Sequence, residues 1–185
     1  MLKSLIYYIN RGYLLLKNDS KSIALYGGSF DPPHLGHKSV VEEALKVLPV
    51  DKLFVIPTFL NPFKSQSYFS ESKRFELVSE MFASFERVEI SDYEISANRA
   101  VTSVETLRYF QQEYEVDYLI IGADNLEKLD QWSEFEYLNA QVTWVIARRN
   151  GYGLKSDKLR DFKVLNTNVD ISSTQIRNRM TKENG

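Results

Sequence analysis

Three scarcities in this sequence limit what the protein can be. With no cysteine, it can form neither disulfides nor thiolate metal sites, which suits a reducing cytoplasm. Two histidines are too few for a zinc site built from protein side chains alone. The 23 lysines and arginines nearly balance the 25 aspartates and glutamates, so the chain has no excess of positive charge that would indicate nucleic-acid binding. No apolar run is long enough to span a membrane. We therefore expect a cytoplasmic protein with small-molecule partners and neither a nucleic-acid nor a membrane partner.

Short apolar runs alternate with amphipathic helical patterns along most of the chain. Four runs are typical of strands buried on both faces, and a weaker fifth suits a position nearer a sheet edge. This alternation predicts one α/β domain: a doubly wound, Rossmann-like, mostly parallel sheet with helices on both faces. Residues 102–105 resemble a capping box that opens a helix, and 149–161 resemble a surface loop. The runs are residues 23–26, 53–56, 88–90, 118–121 and 142–147.

The first 21 residues precede this pattern as a predicted N-terminal extension, and residues 22–185 form the predicted α/β domain. Leu2, Leu5, Ile6, Ile9 and Tyr13 fall on one helical stripe, which predicts an amphipathic N-terminal helix. We hypothesise that this helix covers apolar surface of the domain near its C-terminal helix, because a helix-sized apolar patch is costly in water. The alternative is a frayed extension that makes no such contact.

Residues 27–37, with the sequence GGSFDPPHLGH, carry the strongest functional signal. They contain both histidines, His34 and His37, directly after an apolar run. Gly27 and Gly28 allow close backbone approach to a ligand, and the following helix start favours anions. Imidazole N–H groups placed there would donate hydrogen bonds to phosphate oxygens. The motif predicts a phosphate site at the carboxyl end of the first strand.

A second motif, ISSTQIR at residues 171–177, lies near the end of the chain. Hydroxyl residues at a helix start cap the helix, and that role alone would explain Ser173 and Thr174. Arg177, one turn later, adds a guanidinium, and the three side chains together would form a phosphate cradle.

In this order, the two motifs resemble the signatures of the HxGH nucleotidyltransferase superfamily. The double glycine and the Asp-Pro-Pro-His stretch resemble its bacterial nicotinate mononucleotide adenylyltransferase branch. The resemblance implies that His37 contacts the α-phosphate and that His34 contacts phosphate and the leaving group. It also implies an ATP and phosphate site formed by Gly27, Gly28, Ser29, Phe30, Lys64, Ser173, Thr174 and Arg177. Many relatives have histidine where this chain has Phe63, so the contact from that loop falls to Lys64.

The same resemblance implies where nicotinate mononucleotide binds. Trp132 would stack on the pyridine ring, and backbone amides near Ser103 and Ser133 would receive the nicotinate carboxylate. Asp124 would lie near the ribose hydroxyls, and Arg148 would balance the substrate phosphate. No protein-built metal site is expected, since Mg²⁺ would arrive with ATP.

The resemblance therefore implies ATP-dependent adenylyl transfer to nicotinate mononucleotide, yielding nicotinate adenine dinucleotide and pyrophosphate. Three alternatives stay open: an enzyme acting on nicotinamide mononucleotide, another HxGH-type adenylyltransferase, and a catalytically silent nucleotide sensor. His34 and Trp132 argue against the pantetheine-phosphate branch, which typically has threonine in place of the first histidine. The expected partners are ATP and nicotinate mononucleotide, and a homo-oligomer is compatible with the sequence.

Overall fold

A computed structural model describes residues 7–9, 12–14, 21–60, 66–149, 151–154, 156–167 and 171–183. Within these ranges the chain forms two antiparallel strands, six parallel strands and seven helices, one of them a 3₁₀ helix. The strands are β1 (Tyr7–Ile9), β2 (Gly12–Leu14), β3 (Ser22–Gly28), β4 (Lys52–Pro57), β5 (Val88–Ile90), β6 (Glu115–Gly122), β7 (Thr143–Ala147) and β8 (Phe162–Leu165). The helices are α1 (Leu35–Val47), α2 (Glu71–Phe82), α3 (Tyr93–Ser96), α4 (Ser103–Phe110), the 3₁₀ helix (Ala123–Gln131), α5 (Phe135–Gln141) and α6 (Ser173–Glu183).

The central sheet confirms the predicted doubly wound fold. Its six strands are all parallel and lie in the order β5–β4–β3–β6–β7–β8. The chain starts the sheet at β3, builds outward to β5, and then returns to β6 on the other side of β3. The carboxyl ends of β3 and β6 therefore border the switch point, where doubly wound sheets bind ligands.

Helices cover both faces of the sheet, and each face has its own apolar layer. On one face α1 and α2 pack through buried residues that include Val41 and Val78. On the other face α4, the 3₁₀ helix and α5 pack through residues that include Leu107, Leu129 and Leu138. The inner strands are buried on both sides, as their continuous apolar runs predicted.

The five predicted strands are confirmed, with β5 at one edge of the sheet. The predicted capping box at the start of α4 is also present: the Thr102 hydroxyl accepts from the Glu105 amide, and the Glu105 carboxylate accepts from the Thr102 amide. The opposite edge strand, β8, was not predicted. It has four residues and an exposed lysine, too little for a recognisable pattern.

The prediction of an N-terminal helix is wrong for the residues described there. β1 and β2 pair as antiparallel strands, with Tyr7 opposite Leu14 and Ile9 opposite Gly12. Tyrosine and isoleucine favour strands over helices, so the local composition agrees with this pairing. Residues 1–6, 10–11 and 15–20 lie outside the described residues. The domain boundary near residue 21 stays a prediction, and so does covering of the domain surface by this segment.

Candidate active site

Two adjoining cavities lie at the carboxyl ends of β3 and β6. The larger has a volume of about 760 Å³ and the smaller about 220 Å³. Four residues line both cavities: Gly27, Gly28, Gly122 and Asn125. Molecules bound in the two cavities would therefore meet above the glycine turn that ends β3.

The turn after β3 is tightly packed around Phe30. This residue has a φ of 46°, in the left-handed region, and its side chain is 1% exposed. Its ring packs edge-on against Tyr26 and His37, at centroid distances of 5.5 and 4.8 Å. A Cβ on Gly28 would lie 3.1 Å from the Phe30 ring, so a larger residue would press on the ring that supports His37.

The two histidines begin α1 and cap it with one nitrogen each. His34 Nδ1 accepts a hydrogen bond from the Gly36 amide at 3.1 Å, and His37 Nδ1 accepts from the His34 amide at 3.2 Å. The rings stack at a centroid distance of 3.7 Å. In a neutral ring whose Nδ1 accepts, the proton lies on Nε2. The capping geometry therefore sets both Nε2–H groups as donors.

The electrostatic surroundings keep both rings neutral. Burial, followed by the nearby Arg149 cation, lowers the pKa of His34 to about 4. Burial, followed by His34 and Arg149, lowers the pKa of His37 well below its usual range. At neutral pH these residues are hydrogen-bond donors, and neither supplies a positive charge. His37 lines the larger cavity, and His34 lines an adjoining recess of about 30 Å³.

The second motif begins α6 and is fastened to the first. The Ser173 hydroxyl donates to the Pro32 carbonyl at 2.9 Å. The Arg177 guanidinium donates to the Asp31 carbonyl at 2.5 Å and to the Thr174 hydroxyl at 3.0 Å. Ser173, Thr174 and Arg177 all line the larger cavity. The two ends of the domain are thus joined at one wall of the candidate site.

A buried arginine joins the loops that carry the first motif. Arg74, on α2, is fully buried and donates to the carbonyls of Ser29, Thr58 and Phe59, each at 2.7 Å. It also donates to the Phe69 carbonyl at 3.4 Å. The loops after β3 and β4 therefore share one cationic anchor.

The Asp31 carboxylate ties the first motif to the segment before α2. It accepts hydrogen bonds from the amides of Tyr68 and Phe69, at 2.7 and 2.8 Å. Its Oδ2 lies 4.0 Å from Arg177. The Asp31 carboxylate therefore holds the first motif against the segment before α2.

The larger cavity is lined by cationic groups suited to phosphates. Arg148, Arg149 and Arg177 line it, and the Arg149 guanidinium lies 3.2 Å from the Asp124 carboxylate. A Cβ on Gly122 would lie 2.3 Å from Asp124 Oδ1, so a larger residue there would displace this ion pair. Arg149 was not among the predicted site residues, although its place after a buried strand could have indicated it.

The smaller cavity combines an aromatic side chain with polar groups. Trp132, Ser103 and Ser133 line it, together with Thr58 and the buried Glu94. The indole nitrogen of Trp132 and the hydroxyl of Thr58 are buried, with no hydrogen-bond partner among the described residues. Burial raises the pKa of Glu94 to about 7. Neither Thr58 nor Glu94 was predicted, because nothing local in the sequence distinguishes them.

The residues predicted to bind nicotinate mononucleotide are divided between the two cavities. Ser103, Trp132 and Ser133 line the smaller one, whereas Asp124 and Arg148 line the larger. Lys64 lies outside the described residues. The predicted ATP and phosphate residues that line the larger cavity are Gly27, Gly28, Ser29, Phe30, Ser173, Thr174 and Arg177.

Within the described ranges, no three histidine, aspartate or glutamate side chains are grouped to hold a metal ion. The same residues include no helix long and apolar enough to cross a membrane.

A six-stranded parallel sheet of this order, with paired histidines and a glycine turn at its switch point, defines a nucleotidyltransferase of the Rossmann-like class. A family model described as cytidylyltransferase-like matches residues 25–179, and the chain belongs to that family.

Curated relatives extend this comparison over most of the chain. A protein from Aliarcobacter butzleri, named "Probable nicotinate-nucleotide adenylyltransferase", is 48% identical over 85% of this chain and 87% of its own. A Sulfurovum protein of the same name is 43% identical, over 88% and 87% respectively. A solved structure, Plasmodium falciparum nicotinic acid mononucleotide adenylyltransferase complexed with NaAD, has a TM-score of 0.74. It covers 88% of this chain and 85% of that one at 22% identity, a similarity of fold.

Proposed function

We propose that this protein transfers the adenylyl group of ATP to nicotinate mononucleotide, a step of NAD biosynthesis. The products are nicotinate adenine dinucleotide and pyrophosphate. The observation that carries the proposal is the pair of cavities that share the glycine wall beside His37. The names of the curated relatives support the same activity. Cytoplasmic localisation and the lack of a nucleic-acid partner stay predictions from composition.

ATP occupies the larger cavity in this proposal. Gly27 and Gly28 allow the phosphates to approach the backbone, and Ser173, Thr174 and Arg177 hold the triphosphate at the start of α6. Mg²⁺ enters with ATP and offsets part of its charge.

Nicotinate mononucleotide spans both cavities in this proposal. Its pyridine ring lies against Trp132 in the smaller cavity, and its carboxylate accepts from backbone amides near Ser103 and Ser133. Its ribose and phosphate extend towards Asp124 and Arg148, which line the larger cavity. The phosphate thereby lies next to the α-phosphorus of ATP.

The reaction is an in-line displacement. A phosphate oxygen of nicotinate mononucleotide forms a bond to the α-phosphorus of ATP. At the same time the bond breaks between that phosphorus and the oxygen that bridges the α- and β-phosphates, and pyrophosphate leaves. The attacking phosphate has a second pKa of about 6, so it is largely ionised at neutral pH and needs no general base. His37 donates through Nε2–H to the α-phosphate, and His34 donates to the leaving pyrophosphate. Neutral donors stabilise the developing charge without forming a covalent intermediate.

Pyrophosphate release, measured with ATP and a panel of acceptors, tests this proposal. We expect nicotinate mononucleotide to be preferred over its amide by about 10- to 100-fold, because an amide N–H facing backbone N–H donors leaves buried groups unpaired. Equal efficiency with the two acceptors, or preference for pantetheine phosphate, would assign another substrate. ATP binding without turnover of any acceptor would identify a nucleotide sensor.

A further inference from the structure

The buried carboxyl group of Glu94 lines the smaller cavity, and the proposed adenylyl transfer assigns it no role. Glu94 lies on α3, is 5% exposed, and lines this cavity with Ser103, Trp132 and Ser133. Buried carboxylates are normally paired with a cation. Among the described residues, however, the only hydrogen-bond partner of this carboxyl is the Thr106 hydroxyl, at 2.7 Å.

The charged groups on the elements next to α3 do not compensate a negative charge on Glu94. On α4, Glu105 repels it and so adds to the rise of its pKa. The nearby Arg99 is already paired with Glu105 at 2.6 Å. On β4, Lys52 pairs with Glu89.

Burial and hydrogen bonding act in opposite directions on Glu94. The Thr106 hydroxyl donates to Glu94 Oε1 at 2.7 Å, and the hydroxyl oxygen also lies 3.3 Å from the Thr102 carbonyl. This bond to Thr106 lowers the pKa of Glu94, but burial of the carboxyl outweighs it and raises the pKa to about 7. Burial in a cavity wall without a compensating cation therefore favours the neutral group.

We propose that Glu94 is a specificity-determining residue, and that the smaller cavity accepts a substrate carboxylate only while Glu94 is protonated. This inference rests on the proposed function. Two carboxylates in one cavity of about 220 Å³ repel each other, so an ionised Glu94 opposes the nicotinate group. A carboxamide carries no charge, and its N–H₂ group can donate to an ionised carboxyl. The preference for acid over amide therefore falls as Glu94 ionises.

The pH dependence of this preference tests the proposal. The ratio of kcat/KM for nicotinate mononucleotide to that for nicotinamide mononucleotide should be measured from about pH 6 to pH 8.5. Both substrates carry the same phosphate, so its ionisation and that of the histidines cancel in the ratio. With a pKa of about 7, the protonated fraction of Glu94 falls about 30-fold over this interval. We expect the ratio to fall by at least about tenfold within that limit.

The variant Glu94→Gln separates this role from a structural one. Glutamine keeps the shape of the protonated acid, and its carbonyl oxygen can accept from the Thr106 hydroxyl, but it cannot ionise. We expect it to hold a high, pH-independent ratio, whereas the matched control Glu113→Gln, at an exposed carboxylate, keeps the wild-type slope. A flat ratio in the wild type, which needs no variant, would overturn the proposal. So would a wild-type slope in Glu94→Gln. No transfer to nicotinate mononucleotide at any pH would instead overturn the proposed function itself.

Discussion

Replacing the buried Arg74 with methionine would test how the loops around the active site are held. Methionine fills much of the same volume but donates no hydrogen bond. Four carbonyls, those of Ser29, Thr58, Phe59 and Phe69, would lose this donor. A hydrogen bond to a charged group contributes about 1.5–3 kcal/mol, although the cost of burying the guanidinium offsets part of the sum. We expect a net loss of about 3–5 kcal/mol.

Urea unfolding at neutral pH would measure this loss directly. For a domain of this size, 3–5 kcal/mol corresponds to a Tm lower by roughly 6–20 °C. Arg74→Lys keeps the charge but loses the fork geometry, so it should show a smaller loss of stability together with a lower kcat/KM. Arg87→Met is the matched control, since this exposed arginine also donates to two carbonyls, those of Val50 and Leu45, away from the site. If Arg74→Met lay within about 1 kcal/mol of the wild type, the anchoring role of Arg74 would be refuted.

Three further predictions follow from the geometry of the site. His37→Ala should lower kcat by about 10²-fold or more while leaving the circular dichroism spectrum unchanged, and a loss below threefold would remove His37 from its assigned role. Gly28→Ala should lower Tm and kcat together, because its Cβ would lie 3.1 Å from the Phe30 ring; unchanged values would show that the ring can yield. Burial raises the pKa of Glu94 from 4.5 to about 7, so the folded state holds a proton that the unfolded chain releases. Its contribution to stability is present below pH 4.5 and is lost as the pH rises through 7, so Glu94→Gln should gain about 3 kcal/mol over the wild type across this interval. Urea unfolding at several pH values checks this, and parallel curves for the two proteins would contradict the assignment.

Elements with strong local periodicity could be predicted from the sequence. The inner strands β3, β4, β6 and β7 are continuous apolar runs, and that pattern needs no knowledge of their neighbours. The edge strand β8 has four residues, of which Lys163 is exposed, and it forms by pairing its backbone with β7. The prediction of an N-terminal helix was wrong for a related reason. The same spacing of apolar residues that forms one stripe on a helix also occurs in the short paired strands β1 and β2.

The candidate site was predictable where its residues are adjacent in the chain. His34 and His37 stand in one motif, and the structure adds that their capping bonds set the tautomer. Arg74 and Glu94 could not be predicted, because their roles depend on segments brought together only by folding. Arg74 reaches a carbonyl 45 residues away, and Glu94 lies against a cavity wall built from other elements.

Direct adenylyl transfer between molecules bound in the two cavities determines where the α-phosphate of ATP goes, and a rapid-quench experiment follows that phosphate. The purified protein is mixed with ATP radiolabelled at the α-phosphate, with and without nicotinate mononucleotide, and both protein and products are counted. We predict that the label passes into nicotinate adenine dinucleotide in step with pyrophosphate release, and that none stays on the protein. Label bound to the protein, or pyrophosphate released without the acceptor, would rule out direct transfer.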